Sequence, residues 1–221
     1  FLWEFGGSWG DAASYKTKGL LDNPGAVEGL TFMKSLLKFA PNDGPNMDYG
    51  KTLEAFTSGS TAMAMNYFAF YPTIVKALGD KAGFFVMPAH NGKRFTSLGG
   101  QGMSISAKVT PEQQKLAKDY IAWFLKRETQ EKWTKKEAGF TANSEILSSA
   151  AFKQATPYNA PFSQSMGFIQ DFWNVPAYNE LLAVAEQRLG EALDGVKTPK
   201  EALEAISTEH DRIFKEAGLS K

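Results

Sequence analysis

The sequence predicts an α/β fold, and three observations carry that expectation. Segments with the 3.6-residue spacing of amphipathic helices alternate with short apolar runs of strand length. Two helices open on a capping box with proline at the first helical position, Thr110-Pro111-Glu112-Gln113 and Thr198-Pro199-Lys200-Glu201. The chain has 221 residues, 43% of them hydrophobic, enough for one large domain or two small ones.

Taken in order, Phe1-Leu2-Trp3-Glu4-Phe5 alternates as a strand does, and so apolar a start without an initiator Met points to further sequence before Phe1. The loop Gly6-Gly7-Ser8-Trp9-Gly10-Asp11 follows, its glycines allowing close approach to something bound or packed. Asn23 is placed to cap a helix that starts at Pro24 and turns Ala26, Leu30, Met33 and Leu37 inward. A short helix from Lys51 to Ser58 feeds through Gly59 into an expected strand, Thr61 to Met65. Another short helix begins at Tyr71-Pro72 and ends at Gly79, and Phe84-Phe85-Val86-Met87 reads as a buried strand. After the glycine cluster Leu98 to Gly102, Met103 to Ser106 is a further short strand. The Thr110 helix should bury Leu116, Tyr120, Trp123 and Phe124, and a polar helix from about Thr129 to Glu137 comes next. Residues 139–175 carry few periodic signals. A helix from Ala177 to Leu193 precedes the last one, whose inward stripe is Leu203, Ile206, His210, Ile213 and Ala217 before the stop at Gly218.

Several chemistries lose support at once. Lys plus Arg and Asp plus Glu are both 24, so no net charge draws the chain to nucleic acid, which is not an expected partner. With no Cys there are no disulfides, thiolate metal sites or cysteine nucleophiles. No apolar run reaches a membrane span, no signal peptide is visible, and the chain reads as soluble and mature. The glycine cluster lacks the spacing of either nucleotide-binding motif, and none of the common hydrolase, zinc-protease or calcium-loop motifs occurs. His90 lies in an expected exposed turn and His210 on a helix stripe, each without a second ligand nearby, so no metal, cofactor or catalytic residue is expected.

What remains is a set of aromatic and polar residues at loop-adjacent positions. Asn66, Tyr67 and Phe68 stand where the strand from Thr61 should end, the place at which open α/β sheets bind ligands. Trp9 and Asp11 ride on the glycine loop, Gly100 and Gln101 on the second one, and Phe172 and Trp173 precede a helix. Ring faces stack on sugar rings while Asp, Asn and Gln take the hydroxyls, so the set fits a carbohydrate-like ligand, with core packing as the competing account. A carbohydrate-active enzyme using two loop carboxylates among Glu4, Asp11, Asp48 and Asp171 is a second reading, and an interaction module with packed aromatics a third.

The runs F-G-G-S-W-G-D, Gly59 to Phe70, Leu98 to Ser106 with the Thr-Pro helix after it, D-F-W-N-V-P-A-Y-N-E-L-L and the tail G-E-A-L-D-G-V-K-T-P-K-E-A-L-E-A-I resemble extracellular solute-binding proteins of bacterial ABC importers. The resemblance is to the sugar- and polyol-binding group that includes maltose-binding protein. It implies a periplasmic-binding-protein-like (type II) architecture, two α/β lobes with helices around a mixed sheet, closing on a solute and delivering it to membrane permease subunits without covalent chemistry. It places Trp9, Asp11, Asn66, Tyr67, Phe68, Gly100, Gln101 and Trp173 at cleft positions. It also implies a periplasmic or extracellular protein, with lipoprotein anchoring compatible. Residues 1–97 and 146–221 would form the C-terminal lobe, and 98–145 would belong to an N-terminal lobe otherwise missing. A dimer partner or a companion chain would then supply that lobe.

Overall fold

The structure is a computed structural model and describes residues 1–97, 99–100, 102–136 and 139–220. Its helices in chain order are α1 (Pro24–Leu36), α2 (Tyr49–Thr57), α3 (Tyr71–Leu78), α4 (Pro111–Phe124), α5 (Arg127–Trp133), α6 (Ser144–Ser148), α7 (Ala150–Ala155), α8 (Asn159–Ser165), α9 (Tyr178–Leu193) and α10 (Pro199–Glu216). Two two-residue strands, β1 (Thr96–Ser97) and β2 (Ile169–Gln170), pair in parallel with Thr96 opposite Ile169. By its contacts the chain divides into one unit of residues 1–51, 87–97 and 168–221 and a second of residues 52–86 and 98–167. The segment 98–145 thus shares a unit with 52–86 and 146–167.

The first unit is built on α1, α9 and α10. Thr198 caps α10 by accepting from the Glu201 N–H while the Glu201 carboxylate accepts from the Thr198 N–H, so two otherwise unpaired donors are satisfied. The helix then buries Ala202, Leu203, Ile206, Ser207, His210, Ile213 and Phe214 along one face. Ala185, Ala192 and Ala202 are small enough to let the helices approach, and Leu21, Leu30, Leu203 and Ile206 fill the seam. Lys34 donates to the Ala192 carbonyl at 2.5 Å, satisfying a carbonyl in the last turn of α9. Asn23 caps α1 as its sequence requires, accepting from the Ala26 N–H at 2.8 Å. Two positions depart from the expected stripes: Met33 and Ala217 face solvent, and Phe214 takes the buried place.

The second unit holds α3 to α8 around rings. Phe68, Tyr71, Phe84, Phe140, Tyr158 and Phe162 form a connected set with centroid separations from 4.5 Å for Phe140 and Phe162 to 6.2 Å for Phe68 and Phe140. Ile146, Leu147 and Phe152 extend that core beneath α6 and α7. Asn143 and Ser149 cap these two short helices, in the stretch where periodicity is silent.

Four expected strands do not form ladders. Residues 1–5 close turns instead, with the Phe5 N–H donating to the Phe1 carbonyl at 3.1 Å. Residues 61–65, 84–87 and 103–106 have no ladder partner among the described residues, and Met63, Met65, Phe85 and Met103 are exposed. A strand exists only where a neighbour takes its N–H and C=O groups, and the alternation of side chains does not supply one. The expected burial along α4 fails likewise: none of its residues is buried, with Leu116 68% and Trp123 50% exposed. Phe124, at its end, is half-buried against Trp133, 5.6 Å away and edge to face. The polar helix begins two residues earlier than expected, at Arg127, and ends at Trp133.

Leu181 is fully buried between α9 and α10. Leu181→Ala should cost roughly 2–5 kcal/mol of stability, by urea unfolding, whereas Leu116→Ala on the exposed α4 stripe should stay within about 0.5 kcal/mol.

Candidate functional site

In the first unit, the residues picked from the sequence cluster on the loop 8–17 and its support. The Ser8 hydroxyl donates to the Gly10 carbonyl at 3.0 Å and accepts from the Gly10 N–H at 3.2 Å. Asp11 closes the next turn: its N–H donates to the Lys16 carbonyl at 2.9 Å and its carbonyl accepts from the Tyr15 N–H at 2.8 Å. One oxygen of its carboxylate accepts from the Ala13 N–H, the Ser14 N–H and the Ser14 hydroxyl at 3.1, 2.7 and 2.7 Å. The Ser14 hydroxyl, then its N–H, hold this solvent-exposed carboxyl below the usual carboxylate value. Thr17 pins the loop to α10, its hydroxyl donating to Asp211 at 2.6 Å and its N–H at 3.1 Å. Asp11 therefore stands rigid and ionised at the surface.

Trp9 is half-buried. Its ring meets Phe172 edge to face at 4.7 Å and lies 6.2 Å from His210. Trp173 is only 7% exposed and packs with Leu181, Ile213 and Phe214, a cluster that Trp9 also touches. Trp9 and Trp173 are thus brought to one core, Trp9 at its edge and Trp173 inside. His210 is fully buried, and its Nε2 donates to the Leu181 carbonyl at 2.9 Å. A carbonyl only accepts, so Nε2 carries the proton and Nδ1, which has no partner, does not. Burial pushes this imidazole below its ordinary value, against the smaller opposing effects of that hydrogen bond and of Asp211. His90 is partly covered, stacked on Phe5 at 3.9 Å beside a shallow cavity of about 320 Å³ lined also by Glu28, Thr31, Phe32 and Ser35. The sequence gives no sign of that arrangement, because it depends on Phe5 turning back rather than extending.

In the second unit, Asn66, Tyr67 and Phe68 lie together before α3. The Asn66 side-chain oxygen accepts from the Tyr67 N–H at 2.9 Å, and the Asn66 carbonyl accepts from the Tyr71 hydroxyl at 3.2 Å. Tyr67 lies across Gly99, where a Cβ would come 2.5 Å from its Cδ1, so the glycine lets the second glycine loop close on the ring. Phe68 belongs to the aromatic core, 5.0 Å from Phe162 and 4.7 Å from Tyr71. Gly100 is exposed, with open space where a Cβ would stand, and Gln101 lies outside the described residues. Desolvation raises the Tyr71 phenol above its ordinary value, so it is a neutral donor.

Two of the loop carboxylates have local structural uses. Asp48 accepts from the Lys51 N–H and Asp171 from the Phe172 N–H, both at 2.8 Å. Among the described residues no three His, Asp or Glu side chains converge as metal ligands. No helix among them is long and apolar enough to cross a membrane.

The profile of the bacterial extracellular solute-binding protein family matches residues 1–160. The chain belongs to that family. Solved structures of solute-binding proteins share its fold: maltose-bound MalE3 of T. maritima is 22% identical with a TM-score of 0.82, over 96% of this chain and 55% of its own. A ribitol-bound ABC transporter solute-binding protein from Agrobacterium radiobacter K84 is 22% identical with a TM-score of 0.77, over 97% and 55%. The cyclic α-maltosyl-1,6-maltose binding protein from Arthrobacter globiformis is 20% identical with a TM-score of 0.73, over 97% and 54%. Among curated proteins no sequence matches. The α/β solute-binding protein fold expected from the sequence is therefore the fold of this chain, which spans about 55% of the length of its first-named neighbours.

Because folding holds His210 neutral, the unfolded chain takes up the proton first as pH falls. Its contribution to stability is complete above the ordinary imidazole value of about 6.5 and is lost below it. Urea midpoints should drop from about pH 7.5 to about pH 5.5, and His210→Phe should flatten that difference.

Proposed function

We propose that this chain is the larger part of a solute-capturing protein that takes a carbohydrate or polyol into a cleft between two lobes and hands it to the permease of an ABC importer. The observation that carries this reading is the whole-chain likeness, over 96% and 97% of its residues, to proteins solved with maltose and with ribitol. The chemistry of the chosen residues agrees with it. Trp9 and Tyr67 offer ring faces, Asp11 an ionised acceptor, and Asn66, Gly100 and Gln101 amide and backbone groups for hydroxyls. Trp173 enters as part of the packed cluster that Trp9 touches, and Phe68 as a ring of the aromatic core. The site works by binding and lobe closure, outside the cytoplasm, with no covalent step.

A second lobe completes the cleft in this reading, supplied by a companion chain or a dimer partner. Its support is the coincidence of two facts: the chain covers only about 55% of its neighbours, and α4 carries Leu116, Tyr120 and Trp123 exposed in one stripe.

A panel of sugars and polyols, added to the protein with both lobes present, should raise its melting temperature. At a hundredfold excess over Kd the gain is about 2.7 kcal/mol, and a panel that shifts nothing overturns the proposal. Trp9→Ala should then weaken binding roughly tenfold, about 1.4 kcal/mol, by calorimetry. Trp123→Glu should abolish association with the second lobe in light scattering while leaving the 221-residue chain about as stable as before.

A further inference from the structure

We infer that Trp173 is a positioning residue, the floor that sets where the loop 8–17 holds Trp9 and Asp11. The inference rests on the solute-binding reading of that loop and gives Trp173 a different task from stacking on the solute.

The contact is atomic. A Cβ on Gly10 would lie 2.6 Å from Trp173 Cζ2, 2.7 Å from its Cη2 and 2.8 Å from the Lys16 carbonyl oxygen. Gly10 has φ +150°, outside what side-chain-bearing residues readily adopt, so both space and backbone demand glycine. The six-membered edge of the indole therefore lies directly under the backbone between Trp9 and Asp11. Phenylalanine has no atoms at those two positions.

Trp173 is itself immobilised from below. Phe214 meets it edge on at 4.7 Å, Tyr15 lies 6.1 Å away, and the ring is 7% exposed. At that exposure the side chain has no open face left for a solute. Tyr15, at φ +54°, turns the loop back so that its N–H reaches the Asp11 carbonyl and the Lys16 carbonyl reaches the Asp11 N–H. Thr17 then fastens the far end to Asp211. The loop is thus held at its far end by α10 and in its middle by Trp173, and Trp9 and Asp11 flank the middle support.

The test uses the whole chain with Trp173→Phe, Gly10→Ala and the double variant. Trp173→Phe should speed amide exchange at Ser14 and Tyr15 about tenfold or more and move the Asp11 carboxyl up toward its ordinary value, both by NMR. Exchange along α10 should be unchanged, which separates loss of loop position from loss of fold. Gly10→Ala should disturb the loop less when combined with Trp173→Phe than in the parent chain, because two of the three clashing atoms are gone while the Lys16 carbonyl and the backbone strain remain. Unchanged Ser14 exchange and Asp11 titration in Trp173→Phe, or strict additivity in the double variant, would overturn the inference. Where the panel yields a solute, Trp173→Phe should weaken it about tenfold. A panel without a hit defeats the functional reading alone, since the loop readouts need no solute.

Discussion

The apolar face of α10 is the surface on which the first unit is assembled. A helix of this length closes only if its face is covered, and here α9 covers it with Leu181 and Ala185 while α1 adds Ala26 and Leu30. The same face reaches the loop. Thr17, fully buried, bonds Ser207 and Asp211 one turn apart on the helix, and Phe214 supports Trp173, which supports Gly10. Each step is a desolvated contact with a defined partner, so the exposed Asp11 inherits its position from a helix at the other end of the sequence.

In the second unit the corresponding constraint is aromatic. Tyr71 sends its hydroxyl to the Asn66 carbonyl and its ring to Phe68 and Phe84, so the chain before α3 cannot move without disturbing the ring cluster. A buried hydroxyl is costly when unpaired, and the Asn66 carbonyl is the acceptor that keeps this one satisfied. Gln130 plays a comparable part around α5, donating to the Phe124 carbonyl and accepting from Thr141.

Local physics was readable in the sequence and tertiary physics was not. The caps at Asn23, Thr110 and Thr198 depend on residues within three positions of each other, and all three are present as expected. The stripe of α10 is legible because one face of a long helix repeats, though the repeat points to Ala217 for a last contact that Phe214 makes. The α4 stripe has an equally good pattern, yet Leu116, Tyr120 and Trp123 remain exposed, because periodicity states which residues share a face and not whether a partner covers it. The strands failed for the same reason: Thr61 to Met65 alternates correctly, yet no ladder forms without a neighbour. Helices α6 to α8 were unreadable by period, although Asn143 and Ser149 carried the cap signal.

The candidate site shows where composition stops and geometry takes over. Tryptophan at positions 9 and 173 is the same chemistry in sequence, and both lie beside polar loop residues. In the fold they differ in burial, Trp9 partly exposed and Trp173 enclosed. Trp9 has Phe172 against its edge and keeps exposed surface, whereas Trp173 has Gly10 above and Phe214 beside it. Stacking on a ligand requires a free face and little motion on binding, since ordering a loose side chain costs binding free energy. A partly exposed ring held by a buried core meets both requirements, and Tyr67 shares one feature with it, a glycine, Gly99, packed against its ring. The glycines at 10 and 99 are therefore the positions where the sequence records the packing of these rings: each is a missing Cβ that an aromatic side chain fills.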